Sequence, residues 1–166
     1  MKEFCFGSPF IFIFFTTMAD IAEEKNEVIS VVGAVIINKK GEVLCAQRGE
    51  QSDLSFSWEF PGGKVKKGES CEEALIREIK EELNCTIKVH QKITFTPFQY
   101  STIEIELSTF WCTLLDENNS PECLEHHTIR WCLKDELLEL NWAPADLPTV
   151  EHVVQRLEEL QLKSKA

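Results

Sequence analysis

Two patterns of hydrophobic and polar residues occur along this chain of 166 residues, and they predict strands and helices. Apolar, β-branched stretches are typical of strands, whereas apolar positions three and four apart are typical of helices. The first pattern predicts strands at residues 28–37, 43–46, 86–96, 103–115 and 128–132. The second predicts helices at residues 71–83, 134–140 and 147–162. Together these elements predict an α/β fold in which a mixed sheet lies between helices.

Turn residues indicate how the strands are connected. Residues 38–41, Asn-Lys-Lys-Gly, separate the first two strands and predict a hairpin. The continuous apolar character of both strands predicts burial on both of their faces. Residues 97–101 separate the next two strands, which are therefore expected to form a second pair.

The helix predicted at residues 71–83 carries clear signals at both ends. Ser70 suits the N-cap, and Glu73 three positions later completes a capping box. Asn84 tolerates the left-handed conformation that ends a helix. Four apolar residues at helical spacing are expected to face the core: Leu75, Ile76, Ile79 and Leu83.

Acidic residues occupy another face of the same helix. Glu78, Glu81 and Glu82 lie three and four positions apart, so they share one side, and Glu69 can reach it. Such a cluster is electrostatically unfavourable unless a cation binds there, and oxygen ligands suit Mg²⁺ or Mn²⁺. Arg77 is expected to orient the carboxylates or to meet a phosphate. The alternative is a solvated surface helix, an interpretation adopted for three other residues: Glu72, Glu73 and Lys80.

The spacing of these residues resembles the Nudix box, the signature of hydrolases that cut a nucleoside diphosphate linked to another group. The matching positions are Gly63, Glu69, Arg77, Glu78, Glu81 and Glu82. Asn84 stands where the family has glycine, and Cys85 stands where it has a large aliphatic residue. Neither departure falls on a predicted ligand. Both residues also suit their positions, because Asn tolerates positive φ and a buried cysteine behaves as a small hydrophobe.

The resemblance extends from residue 28 to about residue 160 and points to the MutT branch, the oxidised-nucleotide and pyrimidine-nucleotide pyrophosphohydrolases. Residues 59–64, Glu-Phe-Pro-Gly-Gly-Lys, match the lead into the box. The bacterial CTP pyrophosphohydrolase type is resembled most, through Ala-Gln-Arg at 46–48, Glu-His at 125–126, Trp-Cys at 131–132 and Ala-Pro-Ala-Asp at 143–146. This resemblance implies the Nudix α/β/α sandwich.

Residue roles follow from the resemblance by position. Metal binding is implied for Gly63, Glu78, Glu81, Glu82 and Glu125. Contacts to the nucleotide are implied for Arg48, Phe60, Lys64 and Asp146, with Lys64 near the phosphates. Catalysis is implied for Arg77, Glu78, Glu81, Glu82 and Glu125, of which Glu78 or Glu125 would take the proton of the attacking water. Without the family, Glu125 is a loop carboxylate, Arg48 a strand-end cation and Asp146 a helix N-cap.

The implied activity is a Mg²⁺-dependent nucleoside triphosphate pyrophosphohydrolase that releases a monophosphate and pyrophosphate and sanitises the nucleotide pool. Cytosine or oxidised guanine nucleotides are the expected substrates, because an ionised Asp146 must face a hydrogen-bond donor of the base. Two alternatives stay open. One is another nucleoside diphosphate derivative such as a dinucleoside polyphosphate, suggested by Tyr100, and the other is a domain that binds a nucleotide without cutting it.

Net charge and cysteine content limit which binding partners and which cellular compartment are expected. A net charge of −11 argues against a nucleic-acid polymer, whose phosphates are held by Lys and Arg, but is compatible with a small nucleotide. The expected assembly is a monomer or a homodimer. Seven cysteines without a Cys-x-x-Cys pair indicate a reduced, cytoplasmic protein with Cys45, Cys112 and Cys132 in its core. His126 and His127 are expected at the surface and not as ligands.

The beginning of the chain differs from the rest. Six of the eleven phenylalanines fall within residues 4–15, and the apolar run at residues 10–15 is too short to cross a bilayer. No membrane association is therefore expected. Residues 1–26 are interpreted as an extension, with Met18 as a possible true start, and residues 27–166 as a single domain.

Overall fold

The structure is a computed structural model, and it describes residues 28–116 and 120–164. The extension expected at residues 1–26, with Met18, lies outside the described residues. Among the helices of the described ranges, none has the length and apolar content needed to span a membrane.

The larger of two sheets is mixed, and it forms the centre of the fold. Its strands, in spatial order, are β4 (Gly62–Lys64), β1 (Val28–Ile36), β6 (Glu104–Leu114) and β5 (Ile87–Gln99). β1 and β6 run parallel, whereas the other neighbours are antiparallel. A smaller antiparallel sheet has the order β3 (Trp58–Glu59), β2 (Val43–Gln47) and β7 (Thr128–Cys132).

Helices cover both faces of the larger sheet. They are α1 (Cys71–Leu83), α2 (Lys134–Leu137) and α3 (Leu147–Ser164), with a 3₁₀ helix at Pro144–Asp146. Side chains alternate along a strand, so Val32 and Ile36 of β1 pack in the cluster that contains Leu75 and Ile79 of α1. Val35 packs on the other side with Val150, Val153 and Leu157 of α3. The predicted α/β/α arrangement with a mixed sheet is therefore confirmed.

The first predicted hairpin is wrong. β1 and β2 belong to different sheets. Their ends are joined by an isolated bridge between Ile37 and Val43 and by the Asn38 amide, which donates to the Glu42 carbonyl at 3.0 Å. The reason is that β6 pairs with the whole length of one edge of β1, and β4 pairs with Val31–Gly33 on the other edge. Burial on both faces is nevertheless confirmed, since the second half of β1 and the first four residues of β2 are buried.

The second strand pair is confirmed, but its turn is shorter than expected. β5 continues through Pro97 to Gln99, and β6 begins at Glu104. Proline is tolerated there because β5 is an edge strand and need not donate to a further neighbour. The predicted helix at residues 134–140 ends earlier, at Leu137. Cys45, Cys112 and Cys132 lie in the core as expected.

Candidate active site

α1 begins and ends as the sequence predicts. The Ser70 hydroxyl accepts a hydrogen bond from the Glu73 amide at 3.2 Å, and the Glu73 carboxylate accepts one from the Ser70 amide at 2.9 Å. At the other end, Asn84 has the left-handed φ of 49°. Leu75 and Leu83 are fully buried, which fixes the rotation of the helix and hence the directions of its carboxylates.

Arg77 lies at the centre of the acidic face. Its guanidinium donates to both carboxylate oxygens of Glu69 at 2.7 and 2.8 Å, to Glu78 at 2.7 Å and to Glu81 at 3.3 Å. It also donates to the Lys64 carbonyl at 3.1 Å, which ties α1 to β4. The hydrogen bonds from Arg77 lower the pKa of Glu69 to about 2. Arg77 therefore has the contacts expected of a residue that orients these carboxylates.

Glu82 is the carboxyl group of this helix that points inward. It is 8% exposed and accepts a hydrogen bond from the Gly62 amide at 3.1 Å. Burial raises the pKa of Glu82 to about 8; the charge of His126 opposes this rise, and those of Glu59 and Glu78 add to it. A bound cation would favour the ionised form of such a group.

Two glycines bring the backbone of β4 close to its neighbours. A Cβ on Gly62 would lie 2.1 Å from the Val32 carbonyl oxygen, and Gly62 has a φ of 150°. A Cβ on Gly63 would lie 2.6 Å from the carboxyl carbon of Glu78. Glycine at position 63 therefore lets the Glu78 carboxylate lie directly against the backbone.

A cavity of about 690 Å³ opens beside α1, within the size range of small-molecule sites. Seven of the residues that the sequence assigns to the site line it: Arg48, Phe60, Gly63, Lys64, Glu82, Glu125 and Asp146. Arg77, Glu78 and Glu81 do not line it. The structure thus brings the four residues predicted to contact a nucleotide together with Glu82, while the Arg77 ion pairs lie outside the cavity lining.

Glu59 is a cavity residue to which sequence reasoning assigned no role. Its carboxylate accepts a hydrogen bond from Arg48 at 2.6 Å through one oxygen, and its other oxygen lies 3.4 Å from Nε2 of His126. Pairing of β2 with β3 places Glu59 opposite Ala46, near Arg48. The signal in the sequence was its place at the start of the motif at residues 59–64, but its partners depend on strand pairing.

The expected surface position is wrong for His126, although His127 is exposed. The His126 side chain is 7% exposed, and its Nδ1 is buried without a hydrogen-bond partner among the described residues. Burial lowers the pKa of His126, but the hydrogen bond with Glu59 and the nearby carboxylates outweigh it, so the pKa is raised. The preceding loop is held by the last carbonyls of α1, because the Leu124 amide donates to the Glu82 carbonyl at 3.1 Å.

Asp146 lines the same cavity from the 3₁₀ helix. We call the lining formed by Gly63, Lys64 and Glu82 the α1 end of the cavity, and the lining formed by Phe60 and Asp146 the Asp146 end. It is 6% exposed, and its Oδ1 accepts a hydrogen bond from the Phe60 amide at 3.3 Å. Burial and the charge of Glu59 raise the pKa of Asp146 to about 8, although the Phe60 amide and Arg48 oppose this rise. Burial therefore favours the protonated form of Asp146 near pH 7, in contrast to the ionised form expected from the sequence. The N-cap interpretation also lacks support, since the described hydrogen bond of this carboxyl goes to Phe60 and not to α3.

The oxygen donors near α1 fit a hard divalent cation in their chemistry. Glu78 and Glu82 supply carboxyl oxygens and Gly63 supplies a carbonyl. Within residues 28–116 and 120–164, however, no three His, Cys, Asp or Glu side chains already converge as a metal site. Arg77 holds Glu78 and Glu81 in ion pairs, whereas Glu82 points into the cavity. The metal roles of these residues and of the exposed Glu125 stay predictions.

Comparison with known proteins gives consistent matches. Residues 28–153 match the NUDIX domain. The chain is 38% identical over 125 residues to the CTP pyrophosphohydrolase of Escherichia coli (strain K12), covering 75% of this chain and 90% of that protein. It is 35% identical over 92 residues to an 8-oxo-dGTP diphosphatase of Haemophilus influenzae, covering 55% of this chain and 65% of that protein. A solved MutT structure of the Nudix hydrolase family, from methicillin-resistant Staphylococcus aureus 252, matches with a TM-score of 0.65 and 45% identity, over 79% of this chain and 98% of that one.

Proposed function

Because this chain belongs to the Nudix family and is a pyrophosphohydrolase of nucleotides, we propose that its reaction is the Mg²⁺-dependent cleavage of a nucleoside triphosphate. Water attacks the β-phosphorus, and the products are the nucleoside monophosphate and pyrophosphate. The proposed substrates carry cytosine or oxidised guanine, the bases of the CTP and 8-oxo-dGTP named for two relatives.

One observation supports this proposal above others, which is that a single cavity is lined by two chemically different groups of residues. Gly63, Lys64 and Glu82 offer a cation and oxygen donors at the α1 end, as phosphates and a metal require. Phe60 and Asp146 offer an apolar surface and a buried carboxyl at the other end, as a base requires. A nucleoside triphosphate with its phosphates at the α1 end and its base at the Asp146 end would meet both kinds of group.

The chemistry of the phosphoanhydride decides what the residues must do. Its hydrolysis is slow because water is a poor nucleophile and the phosphate oxygens repel it. Mg²⁺, when bound, neutralises phosphate charge and acidifies water, and its proposed holders are Gly63, Glu78, Glu81, Glu82 and Glu125. Arg77 keeps the carboxylates of Glu69, Glu78 and Glu81 in place. Glu78 or Glu125 accepts the proton of the attacking water.

The neutral state of Asp146 changes the proposed base recognition. A protonated carboxyl both donates and accepts, whereas an ionised one only accepts. Near pH 7 a protonated Asp146 therefore tolerates a base edge that carries a carbonyl. Discrimination against thymine is then weaker than an ionised Asp146 would give. The preference for cytosine rests on pocket shape together with Asp146.

A panel of substrates with Mg²⁺ tests this proposal. The panel contains CTP, dCTP, 5-methyl-dCTP, 8-oxo-dGTP, dTTP and a dinucleoside tetraphosphate, and pyrophosphate release is measured. We expect pyrophosphate from the cytosine nucleotides first and from 8-oxo-dGTP second. Cleavage of the dinucleoside tetraphosphate alone would overturn the proposal.

The dinucleoside polyphosphate alternative has a weaker basis in the structure. Tyr100 lines the cavity, but its ring packs on Phe98 with centroids 4.7 Å apart. It also packs against the hydrophobic cluster that contains Ala145, so its ring is already engaged within the protein. The binding-only alternative is not adopted, because the chain keeps Glu78, Glu81 and Glu82. We place the activity in the cytoplasm, in sanitation of the nucleotide pool, with a monomer or homodimer as the working unit.

A further inference from the structure

The turn that carries Asp146 is held by groups outside its own helix. The Ala143 amide donates to the Trp58 carbonyl at 2.7 Å, on the side of β3. Tyr100, which follows β5, packs against the hydrophobic cluster that contains Ala145. α3 begins directly after Asp146, so the position of the first turn of α3 also determines where the Asp146 carboxyl lies.

Three hydroxyl groups meet under this first turn of α3. Thr149 Oγ1 lies 2.7 Å from Thr94 Oγ1 and 3.0 Å from Thr109 Oγ1, and the last two atoms are 2.8 Å apart. Thr109 and Thr149 are fully buried. Three hydroxyls have three protons, which is the number needed for three contacts, so the ring can satisfy every donor within itself. We call Thr94, Thr109 and Thr149 the threonine ring.

The sheet places two members of the threonine ring side by side. Thr94 of β5 is paired with Thr109 of β6, and a register shift between Lys92 and Thr94 precedes this pair. Directly paired residues of antiparallel strands face the same side of a sheet, so both hydroxyls face Thr149 of α3. The ring therefore joins β5, β6 and α3 through polar contacts inside an otherwise apolar layer.

The threonine ring also borders the partner of Asp146. Thr109 is paired with Gly33, and its methyl group would lie 3.3 Å from a Cβ built there. The same Cβ position lies 3.6 Å from the Cβ of Phe60, whose amide donates to Asp146. The Thr109 methyl and the Phe60 Cβ therefore border the same space beside Gly33. At the other side of the ring, Thr149 lies three residues after Asp146.

We infer that Thr149, acting through Thr94 and Thr109, is a positioning residue that sets the Asp146 carboxyl against the Phe60 amide and so tunes base selection. This inference rests on the proposed nucleotide cavity. The hydrogen bond it controls is long, at 3.3 Å, so a small shift of the first turn of α3 breaks it. Thr149 itself does not line the cavity, which separates positioning from direct contact.

Thr149→Val tests the inference, with Thr149→Ser as the matched control. Valine keeps the shape and removes the hydroxyl, whereas serine keeps the hydroxyl. For Thr149→Val with Mg²⁺ we expect KM for dCTP to rise roughly tenfold, kcat to change by less than about twofold, and the preference for dCTP over dTTP to fall. Thr149→Ser should retain the wild-type KM, kcat and base preference. In the protein without nucleotide, the Phe60 amide should exchange with solvent faster in Thr149→Val only.

The readouts separate failure of this inference from failure of the proposed function. If the wild type cleaves no triphosphate of the panel, the proposed function fails, while Phe60 exchange still tests the positioning role. If Thr149→Val only lowers the unfolding midpoint and leaves KM, base preference and Phe60 exchange unchanged, the inference is overturned. Should Thr149→Val fail to fold, Thr94→Val removes a half-buried member of the same ring and must give the same pattern.

Discussion

The two ends of the cavity are built from the sequence in different ways. At the α1 end, Gly63, Lys64 and Glu82 come from one continuous stretch whose helix is set by its own caps and periodicity. At the Asp146 end, the contact that matters joins Phe60 and Asp146, which are 86 positions apart. The first end is thus encoded by spacing, whereas the second exists only after the sheet and α3 have packed.

The carboxyl groups that line the two ends have similar pKa values but different neighbours. Burial raises the pKa of both Glu82 and Asp146 to about 8. At the α1 end, Lys64 lines the cavity, and Arg77 of the same helix lowers the pKa of Glu69 to about 2. A cation bound at the α1 end would favour the ionised form of Glu82, whereas the neutral edge of a base would leave Asp146 protonated.

Removing the charge of Glu82 should have the largest effect. Glu82→Gln keeps the shape and an oxygen that accepts from the Gly62 amide, but it cannot ionise to hold a cation. We expect kcat/KM for dCTP at saturating Mg²⁺ to fall about 10²- to 10⁴-fold, with a normal unfolding transition. Because Glu81 is also a proposed metal ligand, Glu81→Gln should lower kcat/KM for dCTP as well.

Glu72→Gln is the control for both variants, because Glu72 is an exposed residue of the first turn of the same helix. It should retain wild-type kinetics. Turnover close to wild type in Glu82→Gln would remove the metal role of the α1 end and with it the functional contrast between the two ends.

What the sequence predicted follows the same division. The bounds of α1, its capping box and its buried face are all confirmed, because each depends on residues within one turn. The β1–β2 hairpin was wrong because β1 pairs on its two edges with β4 and β6, which come later in the chain. His126 was misplaced because the carbonyls at the end of α1 hold its loop and turn it inward. The protonation of Asp146 could not be predicted, since it depends on burial by several elements.

The pH dependence of base preference tests the Asp146 end. Below about pH 8 the neutral carboxyl can donate to a thymine carbonyl, whereas above it the ionised carboxylate faces that carbonyl without a donor. We expect the ratio of kcat/KM for dCTP to that for dTTP to rise as pH increases through about 8. The charged and titratable groups that interact with Asp146 are Glu59, Arg48, Tyr100 and the buried Cys45.

Asp146→Asn is the comparison, because the amide does not titrate in this range. The ratio should then be independent of pH. The unfolding free energy gives a second readout, since a carboxyl whose folded pKa is raised contributes a loss of stability as pH rises from 3.8 to about 8. Asp146→Asn should become more stable relative to wild type over that interval, and a flat difference would show that the carboxyl is ionised in the folded protein.

The smallest expected effect comes from the start of α1. Ser70→Ala removes the hydroxyl that accepts from the Glu73 amide, which should lower the unfolding free energy in urea by about 1 kcal/mol. Ser55→Ala, in an exposed loop position, is the control and should leave stability unchanged. Catalysis should be unaffected by Ser70→Ala, because Arg77 still ties α1 to Glu69 and to the Lys64 carbonyl. A loss of kcat/KM beyond about tenfold in Ser70→Ala alone would mean that the local caps, and not the Arg77 contacts, hold the α1 end in place.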